Sequence, residues 1–245
     1  MKFLVLFFLF FITCVSFAST PLSIGFPFGF SRNEAINQYF LFLTDVLKDA
    51  GFEAVYKKMP GVLPYEALLK GEVDGIAYDD FALTKGREQT VTVSFPIVYI
   101  KVHVFYRVEN KYFDEKNLKK HLGALGLNNS MIEKEAKRRK LKYVTSANPT
   151  QNVQLLLDKK VDYFLAVEEV GQSALAASNP ELAKKIRMSE RVFMSFPLYF
   201  TLNKKFKKDL PAIEGSFKKH LTGDLSKYPL LRSLNKELLL PPPRK

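Results

Sequence analysis

The segment from Lys70 to Glu88, KGEVDGIAYDDFALTKGRE, combines residues that could bind an anion with residues that would repel one. Thr84 stands three residues before Arg87, a spacing at which the threonine could cap a short helix and place the arginine in its first turn. Helix N-terminal N–H groups and a guanidinium aimed the same way bind anions. However, Asp79 and Asp80 lie just upstream, where their charges would weaken the binding of a simple anion. We therefore expect either a ligand that carries both charges or an arginine neutralised by its own chain.

Helix-capping signals and apolar strands place this segment in an alternating pattern of elements. The capping boxes Ser31-x-x-Glu34 and Ser130-x-x-Glu133 each open a helix, and the first of these helices should end at Gly51. Further helices are predicted from Thr150 and from Asn179-Pro180. Strands are predicted between them at residues 22–26, 53–57, 98–107 and 195–202. Alternating strands and helices predict an α/β fold with mostly parallel sheets.

A faint internal repeat suggests that the chain has two lobes of similar construction. Leu68-Leu69-x-x-x-Val73-Asp74 recurs as Leu156-Leu157-x-x-x-Val161-Asp162, and each copy leads into a short apolar strand and then an acidic pair. Ser-Phe-Pro follows each copy, at 94–96 and at 195–197. We expect these segments to lead two crossover strands, near 96–102 and 194–199, with a hinge and a cleft between the lobes. The predicted lobes are 19–97 plus 199–245, and 98–198.

In this order of features the sequence resembles the bacterial extracellular solute-binding proteins of family 3, the amino-acid-binding type. The resemblance rests on Leu68 to Asp74 as a helix end and turn, on Thr84-x-x-Arg87, and on Ser94-Phe95-Pro96. It implies the two-lobed periplasmic-binding-protein-like fold of type II. It also implies a monomer that closes over a small solute and delivers it to an ABC importer.

The resemblance also implies roles for individual residues. Arg87, helped by Thr84, would hold the negative end of a zwitterionic ligand, and Glu168 falls near the acidic residue of the family that receives the ligand's amino group. From the charges of the chain itself, we expect Asp79, Asp80 or Glu168 to face the positive end. Other carried-over positions are an aromatic wall and a small polar loop across the cleft: Phe28, Tyr78, Asn129 and Ser130. Two features depart from the family pattern, because Asp79-Asp80 replaces small residues and Met59-Pro60-Gly61 replaces a second aromatic ring.

The N-terminal residues predict where the protein resides. Residues 1–18 combine a lysine, an apolar run and a small-x-small ending, which is typical of a cleaved secretory signal peptide. We therefore expect a periplasmic protein without stable membrane insertion. Cleavage after Ala18 would remove Cys14, the single cysteine of the chain, and with it any disulfide, zinc-thiolate site or cysteine nucleophile. Lipidation of Cys14 is the alternative for this segment.

Charge and motif content narrow the remaining function classes. The net charge of +12 favours anionic surfaces in general, but the densest basic run, at 137–140, follows Glu133 and Glu135 at spacings that favour a solvated helix face over a nucleic-acid site. The sequence contains no nucleophile elbow, phosphate-binding glycine loop or His-Glu-x-x-His motif. We therefore expect no enzyme activity, cofactor or metal. Two alternatives stay open: a cyclohexadienyl dehydratase-like enzyme that uses a pocket carboxylate, and a ligand-sensing or protein-binding module that has lost transport.

Overall fold

Nine strands and seven helices make up most of the chain in the computed structural model, which describes residues 19–27, 34–59, 63–80, 85–126, 130–229 and 231. The strands are β1 Thr20–Pro27, β2 Phe52–Met59, β3 Gly75–Asp79, β4 Thr90–Thr92, β5 Val98–Arg107, β6 Leu122–Gly126, β7 Lys142–Ser146, β8 Tyr163–Val167 and β9 Ile186–Asn203. The helices are α1 Glu34–Asp49, α2 Leu63–Lys70, α3 Ser130–Arg138, α4 Pro149–Leu157, α5 Glu168–Ala176, α6 Pro180–Ala183 and α7 Leu210–Thr222. The predicted leader, residues 1–18, lies outside the described residues.

The strands form two parallel groups that are bridged by antiparallel strands. β1 pairs in parallel with β2 and β3, which we call the first group, and β6 pairs in parallel with β7 and β8, the second group. β9 runs antiparallel to β3 and β4 near its C-terminal end and to β5 over the rest of its length. β5 in turn pairs antiparallel with β8. The fold is therefore α/β with a mixed, curled sheet, in the order β2-β1-β3-β9-β5-β8-β6-β7 with β4 added on β9.

The two predicted crossover segments pair with each other at the boundary between the groups. Ile97 N donates to Leu198 O at 2.8 Å, and Val98 lies opposite Leu198 in the ladder. On the other side of this point, Val93 N donates to Phe200 O at 3.0 Å. The chain thus passes between the two groups along two adjacent antiparallel segments, as a two-lobed fold requires.

One core unites residues from both ends of the described chain. Leu22 of β1 and Phe42 of α1 are fully buried with Ile213 and Phe217 of α7. Lys219, also on α7, donates to Asp49 at the end of α1 at 2.7 Å. This packing is what a discontinuous first lobe needs, and it supports the lobe bounds 19–97 plus 199–245 and 98–198, which stay a prediction.

Helices cover both faces of the second group. Successive residues of a strand point to opposite sides of the sheet, so neighbouring residues pack against different helices. Val104 and Leu165 pack in the core that contains Ile132 and Ala136 of α3. Their neighbours Phe105 and Phe164 instead stack on each other, with ring centroids 4.7 Å apart, in the core formed with α4 and α5. The α3 face and the α5 face of this sheet are therefore separate environments.

The internal repeat has the same hydrogen bonds in both copies. Asp74 N donates to Ser23 O at 2.8 Å, and Ser23 N donates back to the Asp74 carboxylate at 2.9 Å. Asp162 N donates to Leu122 O at 2.8 Å, and Leu122 N donates back to the Asp162 carboxylate at 3.0 Å. Each aspartate therefore joins the start of its own strand to the parallel neighbour: Asp74 joins β3 to β1, and Asp162 joins β8 to β6. This shared role explains why both copies carry Val-Asp at this point.

Most predicted element boundaries agree with the structure, and two do not. α4 begins at Pro149 rather than Thr150, because Asn148 caps it by accepting a hydrogen bond from Gln151 N at 2.9 Å. β9 begins at Ile186 rather than Ser195. Asn179 caps α6 as predicted, and the predicted helix pairs form: Glu133 with Lys137 at 2.7 Å, and Glu135 with Arg139 at 2.6 Å.

We expect Asp74→Ala to lower the free energy of unfolding by about 2 kcal/mol, since hydrogen bonds to charged groups contribute roughly 1.5–3 kcal/mol each. The carboxylate also receives Lys205 Nζ at 2.6 Å. Burial raises the pKa of Asp74, but its bonds to Lys205 and Ser23 outweigh burial and hold the pKa below 3.8. The stabilisation is therefore complete above pH 3.8 and is lost as the pH falls through the folded-state pKa.

Urea unfolding at neutral pH and at low pH measures this effect. Glu72→Ala is the matched control, because Glu72 is an exposed acid two residues away. Equal stability of the two variants at neutral pH would contradict this role of Asp74.

Candidate functional site

Asp79 ends β3 as a buried carboxylate whose charge is compensated by Arg87. Its side chain is only 4% exposed. Arg87 approaches it with both terminal nitrogens: Nη2 donates to Oδ1 at 2.7 Å, and Nη1 donates to Oδ2. Thr201 of the adjacent strand β9 donates its hydroxyl to Oδ2 at 2.7 Å. A buried charge is tolerated when it is paired and hydrogen-bonded in this way.

Arg87 is held in place by its turn and by an aromatic ring. It is the first residue of the 3₁₀ turn Arg87–Gln89, and the N-cap position is Gly86, which has a φ of 80°. Only glycine adopts this left-handed conformation without strain. The guanidinium carbon lies 4.7 Å from the centre of the Tyr65 ring, at cation–π distance. Burial lowers the pKa of Arg87, but the hydrogen bonds and charge of Asp79 outweigh it and raise the pKa above its ordinary value.

These contacts show how the chain accommodates Arg87 next to two acids. Asp79 and Arg87 form a bidentate ion pair, so any ligand carboxylate would meet a nearly neutral pair instead of a bare cation. Asp80 follows directly and is partly exposed. The charge of Asp80 also contributes to the raised pKa of Arg87, so both acids act on the same guanidinium. Asp79 is the acid that forms the buried bidentate pair, and Asp80 adds negative charge near it.

Tyr78 lies in an aromatic cluster that touches both cores. Its ring stacks on Tyr39, with centroids 4.6 Å apart and planes at 26°, and Phe40 meets it edge-on at 6.2 Å. Tyr39 donates its hydroxyl to Ala77 O at 2.6 Å, which fixes the stack on β3. Tyr78 packs against the core that contains Leu22 and also against the core that contains α3. This residue therefore marks where the two halves of the molecule meet on the β3 side.

The second acidic pair begins α5, directly after β8. Glu168 Oε2 lies 3.4 Å from His103 Nε2, and His103 donates its Nδ1–H to Ser189 O at 2.9 Å. Burial raises the pKa of the Glu169 carboxyl, and the charge of Glu168 raises it further, whereas His103 and Lys101 act in the opposite sense. Carboxylates are favoured at a helix N-terminus, so this position holds two acids at moderate cost.

The two acidic segments are within electrostatic range of each other. The pKa of Tyr78 is raised first by burial, then by Tyr39 and Tyr56, and then by the charge of Glu169. Tyr78 near the end of β3 and Glu169 at the start of α5, which follows β8 of the second group, are therefore near enough to interact electrostatically. The structure places Asp79 with Arg87 at the end of β3, Tyr78 in the aromatic cluster, and Glu168 with His103 at the start of α5. That these residues form one site stays a prediction.

Four of the predicted site positions cannot be placed in this region. Phe28, Thr84 and Asn129 lie outside the described residues, as does the side chain of Ser130, whose backbone begins α3. The predicted capping role of Thr84 is not seen, since the turn that carries Arg87 has Gly86 at its N-cap position.

Sequence reasoning missed three residues of this region, each for an identifiable reason. Thr201 and Tyr65 contact the ion pair from distant parts of the chain, and no motif marks them. His103 belongs to no motif either, and its Nε2 lies 3.4 Å from Glu168 Oε2. Its place in the alternating run Val102-His103-Val104 is the one available signal, because a polar residue on a buried strand needs a partner.

Two negative findings concern the described part of the chain. Within the ranges given above, no group of three or more His, Cys, Asp or Glu side chains could hold a metal ion. Over the same ranges, no helix is both long enough and apolar enough to cross a membrane.

We expect Arg87→Ala to lower the free energy of unfolding by about 3 kcal/mol or more, because it leaves the Asp79 carboxylate buried and unpaired. The double variant Arg87→Ala/Asp79→Ala should recover part of this loss, since it removes the orphaned charge. Urea unfolding of both single variants and the double variant measures the coupling. Lys85→Ala is the control, an exposed basic residue two positions away. An Arg87→Ala variant as stable as this control would refute the buried pair.

Comparison with known proteins gives matches in structure but not in sequence. No protein-family model matches the chain, and no curated protein sequence matches it. An ancestral arginine-binding protein bound to arginine is similar in structure with a TM-score of 0.65 and 17% identity, over 90% of this chain and 98% of that one. The GluR0 ligand-binding core in complex with L-glutamate has a TM-score of 0.67 and 14% identity, over 89% and 99%.

A third similar structure comes from a signalling protein. It is a histidine kinase sensor domain with similarity to periplasmic binding proteins, with a TM-score of 0.66 and 14% identity over 91% of this chain and 97% of that one. At these identities the likeness establishes the fold alone. The chain has the two-lobed fold of periplasmic binding proteins, and the solved structures that share it include both solute-binding proteins and a sensor domain.

Proposed function

We propose that this protein is an extracellular solute-binding protein of family 3 that closes its two lobes over an amino acid or a related zwitterion and delivers it to an ABC importer. The observation that carries the proposal is the approach of β3 to α5. Tyr78 packs against both cores, and the charge of Glu169 reaches it from the other parallel group. Polar and aromatic side chains that converge between two lobes are typical of a small-molecule site.

The charges of this region favour a ligand with a cationic group. Asp79 compensates Arg87, and we propose that the carboxylates of Asp80, Glu168 and Glu169 contribute further negative charge to the same site. We assign Glu168 and Asp80 to the positive end of the ligand. Arg87, helped by Thr84, stays the proposed contact for the negative end, but through an ion pair that makes a weaker contribution than a bare guanidinium.

The remaining contacts of the proposed site are apolar or neutral. Tyr78 supplies an aromatic wall, and we assign Phe28 to the same wall. Asn129 and Ser130 would contribute small polar groups from the start of α3, across the site. Rings and neutral hydrogen-bonding groups fix the orientation of a ligand without changing the charge balance.

Calorimetric titration with L-arginine, L-glutamine and L-glutamate tests the charge preference. We expect affinity to fall in that order, because the side-chain charge changes from positive to neutral to negative beside three carboxylates. Glu168→Gln should weaken arginine binding by about tenfold or more, since one desolvated charge pair is worth more than about 1.4 kcal/mol. The control is Glu53→Gln, an exposed acid on β2. Tightest binding of glutamate, or no effect of Glu168→Gln, would overturn the assignment.

The raised pKa of Glu169 predicts how arginine binding depends on pH. Ionised Glu169 adds to the attraction between a cationic ligand and the neighbouring Glu168. Affinity should therefore fall as the pH drops through the raised pKa of Glu169, at values where a glutamate with the ordinary pKa of 4.5 is still ionised. The stability of the ligand-free protein should show the opposite trend and rise as the pH falls. A raised acid pKa stabilises the fold fully below 4.5, and this stabilisation is lost as the pH rises through the folded-state pKa.

Titrations and thermal melts of wild type and Glu169→Gln across this pH range check both trends. The variant has no proton to exchange at this position, so both slopes should flatten. Identical pH profiles for wild type and Glu169→Gln would contradict the prediction.

Export belongs to the same proposal. Delivery to an importer requires that the protein reach the periplasm, which we infer from the leader-like residues 1–18. Mass spectrometry of the exported protein should find a first residue near Ser19. A soluble product that retains Met1, or a lipid on Cys14, would contradict this part.

One observation favours an enzymatic alternative on the same fold. Glu169 has a raised pKa and lies beside Glu168 and His103, and two acids in different environments are typical of acid–base catalysis. A cyclohexadienyl dehydratase-like activity would use this group. Incubation with a cyclohexadienyl acid, followed by chromatography, separates the two functions: turnover that is lost in Glu169→Gln supports the enzyme, and an unchanged substrate supports binding alone.

The buried pair favours a second alternative. Because Asp79 compensates Arg87 within the chain, this half of the region is stable without a ligand. A ligand-sensing or protein-binding module that has lost transport would not need a transported solute to neutralise Arg87. If none of the three amino acids binds, this alternative becomes the better interpretation.

A further inference from the structure

A basic cavity lies on the second parallel group, away from the proposed amino-acid site. Its volume is about 510 Å³, which is within the usual range for small-molecule sites, roughly 300–1,000 Å³. Three segments form it: the loop 115–119 after β5, the C-terminal end of α3, and residues 189–193 of β9. α3 is nine residues long and rises about 1.5 Å per residue, so the cavity and the start of α3 lie at opposite ends of this helix.

Basic side chains dominate the lining of the cavity. Five line it, against one acid, Glu115, and they come from all three segments: Lys116, Lys119, Arg138, Arg139 and Arg191. Basic residues at the end of α3 would also complement the helix dipole. That explanation covers Arg138 and Arg139, but it does not cover the lysines of the loop or Arg191 of the strand.

Arg138 and Arg139 are fixed in position before any ligand arrives. Glu135 accepts from both of them at 2.6 Å, and its hydrogen bond to Arg138 is the main cause that lowers the pKa of Glu135 to about 2. Arg139 also donates to Phe193 O at 2.9 Å, and its guanidinium lies 4.2 Å from the Phe193 ring centre. Glu135 offsets one of the two positive charges, so the arginines present a net positive charge in a geometry that is set before a ligand binds.

An irregularity in β9 brings Arg191 to the same cavity. His103 lies opposite Val192 and Phe105 lies opposite Met188, so β9 has three residues where β5 has one. Ser189 closes this bulge by donating its hydroxyl to Arg191 O at 2.7 Å, and it accepts from Val104 N at 3.4 Å. Bulges re-aim side chains and are common beside functional sites. The strand therefore departs from regular pairing at the point where it supplies a cation to the cavity.

We propose that this cavity binds an organic phosphate, either a soluble phosphate ester or the headgroup of an anionic phospholipid. Arginine forks and lysine ammonium groups are the usual partners of phosphate oxygens. Val104, Leu118, Leu141 and Phe193 give the cavity an apolar part, which suits the uncharged portion of such a molecule. A concave site of this size admits a headgroup or a small ester but not a nucleic-acid duplex.

Calorimetry with inorganic pyrophosphate and flotation with phosphatidylglycerol vesicles test the two sources. Binding of pyrophosphate that also displaces the protein from vesicles indicates a general phosphate site, and binding to vesicles alone indicates the headgroup. Phosphatidylcholine vesicles, which carry no net charge, should not bind. Binding of neither pyrophosphate nor phosphatidylglycerol overturns the proposal.

A charge-matched pair of variants separates the cavity from the general basicity of the protein. Lys119→Gln/Arg191→Gln should weaken binding by about tenfold or more, whereas Lys134→Gln/Lys142→Gln should change it by less than about twofold. All four positions are exposed, and the second pair does not line the cavity. Thermal melts confirm that each variant is folded, and arginine titration should be the same for both. Equal weakening by the two pairs would show non-specific attraction and would refute the site.

Discussion

The antiparallel pairing of β5 with β9 is the constraint on which the arrangement of the whole molecule depends. The first group reaches β9 through β3, and the second reaches β5 through β8, so the hydrogen-bonded path between the groups passes through this pair. Within the described chain, the ladder runs from Val98 opposite Leu198 to Arg107 opposite Ile186. A relative motion of the two halves should therefore bend or twist these strands near residues 93–98 and 198–200, because no other backbone ladder joins the groups among the described residues.

The Asp79–Arg87 pair changes what the resemblance to amino-acid-binding proteins implies. In a site built around an isolated arginine, ligand binding supplies the counter-charge. Here Asp79 supplies it, with a third hydrogen bond from Thr201 of β9. The pair therefore couples the acidic end of β3 to the strand that joins the two halves. Separating the pair would leave a buried carboxylate without its counter-charge, so we infer that a ligand binds beside the intact pair and that its positive end determines selectivity.

Local signals in the sequence predicted the elements well, and long-range contacts account for what was missed. Capping residues and Val-Asp turns act within a few residues, so α6, β3, β5 and β8 could be placed from the sequence. The N-terminal half of β9 was missed because the run Arg187 to Arg191 is polar and contains the bulge, which breaks alternation. Whether Asp79 would pair with Arg87 or face a ligand depends on Thr201 and Tyr65, which lie far from it in sequence.

The net charge of the protein should affect ligand approach differently at the two proposed sites. The protein carries a net charge of +12, so its overall field attracts anions and repels cations. This field would speed the encounter of a phosphate with the basic cavity, but it would slow the approach of a cationic amino acid to the proposed site at Glu168 and Glu169. Selectivity at the amino-acid site must then arise after encounter, from short-range contacts that slow dissociation, because contacts across a closed site are screened far less than a long-range field in salt solution. Salt should therefore weaken phosphate binding at the exposed rim of the cavity strongly, and amino-acid binding between the lobes only slightly.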